Sequence, residues 1–366
     1  MPYIANKLPE YPVAADMWDK IASDSRPIAI YGMGNGADKL FERLEKYGKS
    51  PSAVFASDGF VRGHSFRGYK VVSLSDVMST YEDFIILLSF ASGREEVIEM
   101  IRVLDGKFDL FVPDMPVAGE AYFDKDFYNS NYGEICKAYN SLCDSDSKAA
   151  FASIINYKLS GKLEYLFGCY SDTSDMYSLL RDNIETAVDA GAYNGDTVRE
   201  LIKYRPEVKK IYAIEPDSRN YKKLLKYVTD GSTSCSVEAI NAAAYSENSF
   251  GTFSGSGNRN SSISSTVSHE NRAENIALIR IDGITEEKID YIKYDVEGAE
   301  LDALIGSSKA IEKFRPDLLI SVYHRSEDIF SVVNYILQKY PFYSLYLRRT
   351  LCFPAWEIAL IAVYDK

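Results

Sequence analysis

Short apolar runs near the start of the chain alternate with stretches whose apolar residues recur every three or four positions. Pro27 to Tyr31 is a β-branched apolar run closed by Gly32, and Ala37 to Tyr47 carries Leu40, Phe41 and Leu44 on one helical face. The pattern predicts a strand, a glycine turn and a helix. Further runs at Ala53 to Ala56, Tyr69 to Val72, Phe84 to Phe90 and Phe108 to Val112 alternate with helical spacing over Leu74 to Thr80 and Arg94 to Leu104. This is the rhythm of a parallel sheet covered by helices, so residues 1–116 are expected to form one α/β domain. Residues 117–184 have helical spacing over Ala149 to Leu159 and no strand pattern, and read as a helical connector. A second α/β alternation occupies residues 185–366, with strands expected at Ala187 to Ala190, Ile211 to Glu215, Val237 to Ala243, Ile289 to Asp295, Leu318 to Tyr323, Phe342 to Leu347 and Ile358 to Tyr364. The last two lack an intervening helix and are expected to pair antiparallel at one edge. Gly251 to Thr266, rich in Ser, Gly and Asn, reads as a mobile loop or a lid over a cleft.

Composition narrows the function classes. With 366 residues, 46% of them hydrophobic, the chain can bury the cores of two or three domains, and disorder as the main state is excluded. A formal charge of −12 provides no positive field to collect phosphate backbones, so no nucleic-acid partner is expected. Five cysteines, none in a C-x-x-C pair, argue against a disulfide framework and a structural zinc site. The absence of a signal-like start and of any apolar run long enough to span a bilayer leads to the expectation of a cytoplasmic protein. Only three histidines are present, which excludes a His-rich metal centre.

The candidate chemistry lies at strand ends of the second half. In A-V-D-A-G-A-Y-N-G-D-T a strand ends at Asp189, and Gly191 and Gly195 precede a helix over Thr197 to Tyr204. Such a turn lets backbone amides approach a ligand at a helix N-terminus, which suits a nucleotide-like cofactor. I-Y-A-I-E-P puts Glu215 at the next strand end, 20 residues beyond Gly195, where a carboxylate can accept both hydrogen bonds of a ribose diol. The small residues of A-I-N-A-A-A-Y-S could lie against a flat base, and a tightly packed strand would have the same composition. K-Y-D-V-E-G-A-E ends a strand in Asp295 and Glu297, which share one face if the segment is extended. The run L-L-I-S-V-Y-H-R ends at His324.

From about Glu185 to Asp365 the succession D-A-G-A-Y-N-G-D-T, I-E-P, N-A-A-A-Y-S, I-D-Y-I-K-Y-D-V-E-G-A-E and S-V-Y-H resembles the FkbM family of S-adenosylmethionine-dependent methyltransferases. The segment L-C-D-S-D-S-K-A-A-F and the Met176-Tyr177 pair resemble the helical region preceding the catalytic domain in two-domain members. The resemblance implies a class I methyltransferase fold, with a seven-stranded, mostly parallel sheet. It also implies S-adenosyl-L-methionine as cofactor. Under it Asp189, Gly191, Tyr193, Asn194, Gly195, Asp196 and Thr197 form the cofactor loop, Glu215 binds the ribose, Asn241, Ala242 and Ala243 wall the adenine, and Asp295 and Glu297 face the sulfonium and acceptor. Tyr294 stands where the family usually has Ile.

An acceptor hydroxyl is about as weak an acid as water, roughly 15.7, and needs a base or a cation as its new bond forms. His324 and Asp295 are the catalytic candidates. Asp295, Glu297 and His324 could also supply an O, O, N metal set, although no metal is expected. The expected activity is O-methylation of a saccharide or a related small molecule. The smaller N-terminal domain resembles Rossmann-like modules, because Gly32, Gly34 and Ala37 keep the G-x-G-x-x-A spacing and Asp58 closes the next apolar run, 22 residues beyond Gly36. Two rival readings follow: a nicotinamide-dependent or nucleotide-sugar enzyme working through that turn, and a non-catalytic binding module with a methyltransferase fold. The sequence leaves the oligomeric state open.

Overall fold

The computed structural model describes residues 5–61, 63–231, 233–254, 262–264 and 273–364. In the first half α1 (Met17–Ser23), β1 (Ile28–Tyr31), α2 (Asn35–Lys46), β2 (Ala53–Phe55), β3 (Ser65–Phe66), β4 (Tyr69–Val72), α3 (Leu74–Thr80), β5 (Ile85–Leu88), α4 (Glu95–Asp105) and β6 (Asp109–Phe111) build a sheet of order β3-β4-β2-β1-β5-β6. It is parallel except for the β3–β4 pair. The fully buried runs Ile28–Tyr31 and Ile85–Leu88 sit at its centre, as continuous apolar strands covered on both faces must.

Helices α5 (Lys125–Ser141), α6 (Ser145–Ser160), α7 (Glu164–Phe167) and α8 (Thr173–Leu179) follow. Asp124 and Asp144 start the two long ones by accepting the amides of Phe127 and Ser147. Helix α6 is buried nearly all round, with Phe151, Ile154, Ile155 and Tyr157 inaccessible to solvent. One continuous apolar cluster runs from Ile86 and Leu88 of the first sheet through Tyr128, Phe151 and Ile154 to Val188, Ile292 and Leu318 of the second half. These helices are therefore core material for both halves.

The second half contains β7 (Thr186–Ala190), α9 (Asp196–Tyr204), β8 (Lys210–Ile214), α10 (Ser218–Thr229), β9 (Ser236–Ile240), β10 (Ala243–Ala244), β11 (Ser249–Ser254), β12 (Ser262–Ser264), β13 (Ala273–Ile279), β14 (Tyr291–Tyr294), α11 (Glu300–Gly306), α12 (Ser308–Phe314), β15 (Asp317–Ser321), α13 (Asp328–Lys339), β16 (Tyr343–Arg349) and β17 (Ile358–Tyr364). Seven strands form a sheet of order β16-β17-β15-β14-β7-β8-β9. β17 runs antiparallel to both neighbours, as expected for the final pair, and the other adjacent strands are parallel. Strand order reverses between β7 and β14, the switch point at which such sheets leave a crevice beyond their carboxyl ends.

A second, four-stranded sheet of order β10-β13-β11-β12 corrects the expectation of a loop over Gly251 to Thr266. Residues 251–254 belong to β11, which pairs antiparallel with β13, and 262–264 form β12. The cross-strand ladder prevails over the turn-favouring composition. Residues 255–261 and 265–266 of that stretch lie outside the described residues. Among the described residues no helix is long and apolar enough to cross a membrane.

Gly306, the last residue of α11, gives a test in which local propensity and packing disagree. A Cβ there would stand 1.9 Å from the carbonyl oxygen of Tyr245. Helix propensity alone favours Ala over Gly by up to about 1 kcal/mol. The clash outweighs this, so Gly306→Ala is expected to destabilise the fold by about 1–3 kcal/mol, read as a lowered denaturation midpoint. An unchanged or higher midpoint would contradict the packing described.

Candidate functional site

Parallel register sets the chemistry at the switch point. Lys293 of β14 lies opposite Asp189 of β7, so their side chains share one face, and Asp295 follows two residues later on the same side. The Lys293 ammonium lies 3.5 Å from Asp189 and 3.3 Å from Asp295. Burial pulls the Lys293 pKa down, but the two carboxylates outweigh it and the net shift is upward. Asp189 is buried and accepts the Thr197 hydroxyl at 2.5 Å, tying the end of β7 to the first turn of α9. Burial raises its pKa against the opposing charge of Lys293.

The turn after β7 folds back over β8. Gly191 and Ala192 both donate to the Ile214 carbonyl, and Tyr193 donates to Glu215 Oε2 at 2.8 Å. The other Glu215 oxygen accepts the Asp217 amide at 2.9 Å. Glu215 is only 5% exposed, and burial pushes its carboxyl up to about 7 against the pull of these two amides. The glycines have a packing cause. A Cβ at Gly191 (φ +91°) would meet the Asp295 carbonyl at 1.9 Å, and one at Gly195 (φ +85°) would meet Tyr227 at 2.7 Å. Tyr193, Glu297 and Glu357 also have left-handed backbones, at φ of 48°, 54° and 60°, and all three line the same cleft. Non-glycine residues held in this region cluster at functional sites.

His324 lies three residues beyond β15 and is 1% exposed. Its Nδ1 is 2.9 Å from Glu300 Oε1, and its Nε2 is 3.5 Å from Asp295 and 3.6 Å from Glu297. Burial lowers its pKa, but Glu300, then Asp295 and Glu297, raise it to about 10. Burial also raises Asp295, yet the charges of Lys293 and His324 take it down to about 2. With Nδ1 taken by Glu300 and two more carboxylates within 3.6 Å of Nε2, the surroundings favour the imidazolium, a form that does not suit a general base. Asp295 and Glu297 do converge, but not through an extended segment. The left-handed turn at Glu297 brings them together on His324.

The cleft at this edge is lined by Gly191, Tyr193, Asp196, Thr197, Glu215, Ala243, Asp295, Glu297 and His324 among the residues expected there. Several others face elsewhere. Asn241 donates to the Glu215 and Pro216 carbonyls, closing the β8 end rather than opening onto the cleft. Asn194 accepts from Arg199, Ala242 is buried, and Gly195 packs on α10. Asp189 does not line the cleft; its ion-pair partner Lys293 borders another cavity together with Glu200 and Ser321. Val117, Asp217, Asn220, Tyr323, Trp356 and Glu357 complete the main cleft without having been singled out from the sequence. Asp295, Glu297 and His324 form a charge cluster, and among the described residues no group of three or more His, Cys, Asp and Glu has a metal-holding arrangement.

A second cavity beside the first sheet is bordered by Gly34, Gly36, Lys39, Phe90 and Met115, and it shares Val117 and Trp356 with the main cleft. Gly32, at φ +116°, packs on Ser89, and the Lys39 ammonium donates to the Pro116 carbonyl at 2.5 Å. The side chain of Asp58 lies outside the described ones.

Residues 189–343 match the family described as methyltransferase FkbM domain. A crystal structure of methyltransferase FkbM from Methylobacillus flagellatus KT is similar over 96% of this chain and 94% of its own, with a TM-score of 0.68 at 21% identity. An rRNA methylase from Streptococcus thermophilus aligns over 52% of this chain and 92% of its own, with a TM-score of 0.33 at 16% identity. M. capricolum TrmK, solved with S-adenosylhomocysteine, aligns over 54% and 69%, with a TM-score of 0.33 at 10% identity. No curated protein sequence matches the chain. The sequence match to the methyltransferase FkbM family lies within the second half of the chain, at residues 189–343, and the likeness of fold extends over nearly the whole chain.

Proposed function

We propose that the protein is an S-adenosylmethionine-dependent methyltransferase acting on a hydroxyl of a saccharide or a related small molecule. The observation that carries the cofactor reading is the charge of the cleft. Asp196, Glu215, Asp217, Asp295, Glu297 and Glu357 line it, against the single imidazolium of His324. Such a lining attracts a cationic sulfonium and repels a pyrophosphate, which disfavours the nicotinamide rival at this edge. The residues also fit the cofactor's shape: Ala243 and Ala244 leave a wall without bulk, and Glu215, anchored by two amides, keeps lone pairs for a ribose diol. When bound, the cofactor supplies an electrophilic methyl group whose C–S bonding pair stays on sulfur.

The chain's own residues then orient and stabilise. Asp295, held near 2, is a poor proton sink. Its contribution is to accept the acceptor's hydrogen bond and face the positive charge that grows on the acceptor oxygen, whose proton is lost to solvent after the new C–O bond forms. The acceptor reading is supported by Tyr323 and Trp356, whose rings stack with centroids 6.5 Å apart at the cleft wall. The Trp356 indole nitrogen is buried without a hydrogen-bond partner, a donor suited to a sugar oxygen. The second cavity continues from Trp356 and Val117, which supports a role for the N-terminal half in acceptor choice.

Two expectations test this reading. Calorimetry with S-adenosylhomocysteine on the whole chain should show binding that Glu215→Ala weakens by about 1.5–3 kcal/mol, at least about tenfold. Because Glu215 is protonated below about 7 and only its carboxylate accepts both ribose hydroxyls, affinity should rise from pH 6 to pH 8, and Glu215→Gln should flatten the profile. No heat with the wild-type protein would overturn the cofactor assignment. On the acceptor side, a labelled-methyl screen of saccharides should yield an acceptor whose KM rises about tenfold in Trp356→Ala while S-adenosylhomocysteine affinity stays within about twofold. An unchanged KM would remove Trp356 from the acceptor site.

A further inference from the structure

Glu300 is not one of the residues that line the cleft, yet it holds the histidine on which two of the cleft's carboxylates converge. It is the first residue of α11 and is 1% exposed. Its Oε1 accepts the Val296 amide at 3.0 Å and the Gly298 amide at 3.4 Å, so it spans the turn that holds Glu297 in its left-handed conformation. The same oxygen faces His324 Nδ1 at 2.9 Å. Its Oε2 is buried without a hydrogen-bond partner. A carboxylate in this setting has two tasks: to fix the turn that carries Asp295 and Glu297, and to neutralise the buried ring that faces both.

We propose that Glu300 is a positioning residue that locks His324 as a permanent imidazolium, so that His324 serves as a fixed positive charge between Asp295 and Glu297 and not as the proton acceptor of the reaction. The charged and titratable groups facing the ring are Asp295 and Glu297 from the β14–α11 turn, Glu300 from α11 and Asp328 from α13, with the Tyr323 ring 4.2 Å away between centroids. Asp328 accepts the Arg325 amide at 2.8 Å, and burial together with the Glu300 charge pushes its carboxyl up to about 8. Arg325 donates from Nε to the Gly298 carbonyl at 2.8 Å. Three carboxylates therefore hold the proton on His324, and Glu300 makes the shortest contact. An imidazolium between Asp295 and Glu297 keeps two like charges from repelling each other at the position where the acceptor must sit.

The role in turnover rests on the methyltransferase reading, but the protonation state does not, and the test separates them. The chain has three histidines, so long-range proton–nitrogen spectra of uniformly labelled full-length protein resolve each ring, with His324→Gln assigning its signal. In the wild-type protein His324 should remain doubly protonated through pH 8.5. In Glu300→Gln its midpoint should fall by at least about one pH unit, a tenfold loss of proton affinity, and Glu300→Asp should recover part of it. With an acceptor in hand, the Glu300→Gln rate should fall as pH rises through the lowered midpoint, whereas the wild-type rate stays flat there and S-adenosylhomocysteine affinity is kept. A wild-type His324 that titrates near 6.5 overturns the proposal even if Glu300→Gln does not fold, and so does an unmoved midpoint in a folded Glu300→Gln. Absence of S-adenosylhomocysteine binding to the wild type would instead remove the methyltransferase reading and leave the titration to decide the role of Glu300.

Discussion

A buried ammonium between two carboxylates on adjacent parallel strands is the contact on which the rest of the site depends. Lys293 is 7% exposed, and the in-register pairing of β14 with β7 leaves its side chain no direction but toward Asp189 and Asp295. Removing one partner of such a group leaves an uncompensated buried charge, which costs far more than an exposed pair contributes. The arrangement therefore fixes how the two strand ends meet. Asp189 in turn holds Thr197 and so the start of α9, while the backbone of Asp295 comes so close to Gly191 that no side chain fits between them. The turn toward Glu215 and the turn toward His324 leave from this one point in opposite directions.

Much of this was readable in the chain because strand ends announce themselves. Glu215, Asp295 and Ala243 close apolar runs, and the topology brings all three to one edge of the seven-stranded sheet or its extension. Position along a strand does not, however, tell which way a side chain is occupied. Asn241 looks like a ligand residue, but its amide is taken up by two carbonyls at the end of β8. Gly191 and Gly195 look like openings for a ligand, and their need for glycine comes from left-handed backbone and from atoms of Asp295 and Tyr227. His324 was a candidate base because an acceptor hydroxyl needs one, and only the fold shows three carboxylates around it. Glu300 stood in the same motif, but what it bonds is a tertiary fact. The antiparallel pairing of β11 with β13 was hidden by a composition that favours turns whenever no partner strand is known.

The first half of the chain reaches the site through packing and not through its glycine turn alone. Sequence patterning puts boundaries near 116 and 184, whereas the apolar cluster continues across both because α6 is buried nearly all round and packs within a core shared by the two halves. Continuity has a local effect at the cleft. Ser92, just after β5, exchanges backbone hydrogen bonds with Phe353, which anchors the β16–β17 connection that carries Trp356. The Ala118 amide donates to the His324 carbonyl at 2.8 Å, and Ala118 lies against Gly298, where a Cβ would come within 2.5 Å. The segment leaving the first sheet is therefore pinned across the His324 side of the cleft, and Val117 becomes one of its walls.

The charge of the cleft has a consequence for turnover under the proposed reading. Lys293 and His324 each stand between carboxylates, so Asp189, Asp295, Glu297 and Glu300 are locally balanced in part. Asp196, Glu215 and Asp217 lie along the other wall, and the chain as a whole is strongly acidic. An exposed field of this kind fades over about 8 Å at physiological salt, so what acts on a bound molecule is the set of carboxylates that line the cleft. A donor loses its positive charge when the methyl group leaves, and the same lining then holds a neutral thioether less tightly than it held the sulfonium. Binding energy invested in the donor's charge is thus relinquished by the product, which favours exchange of spent for fresh donor without any change in the shape of the site.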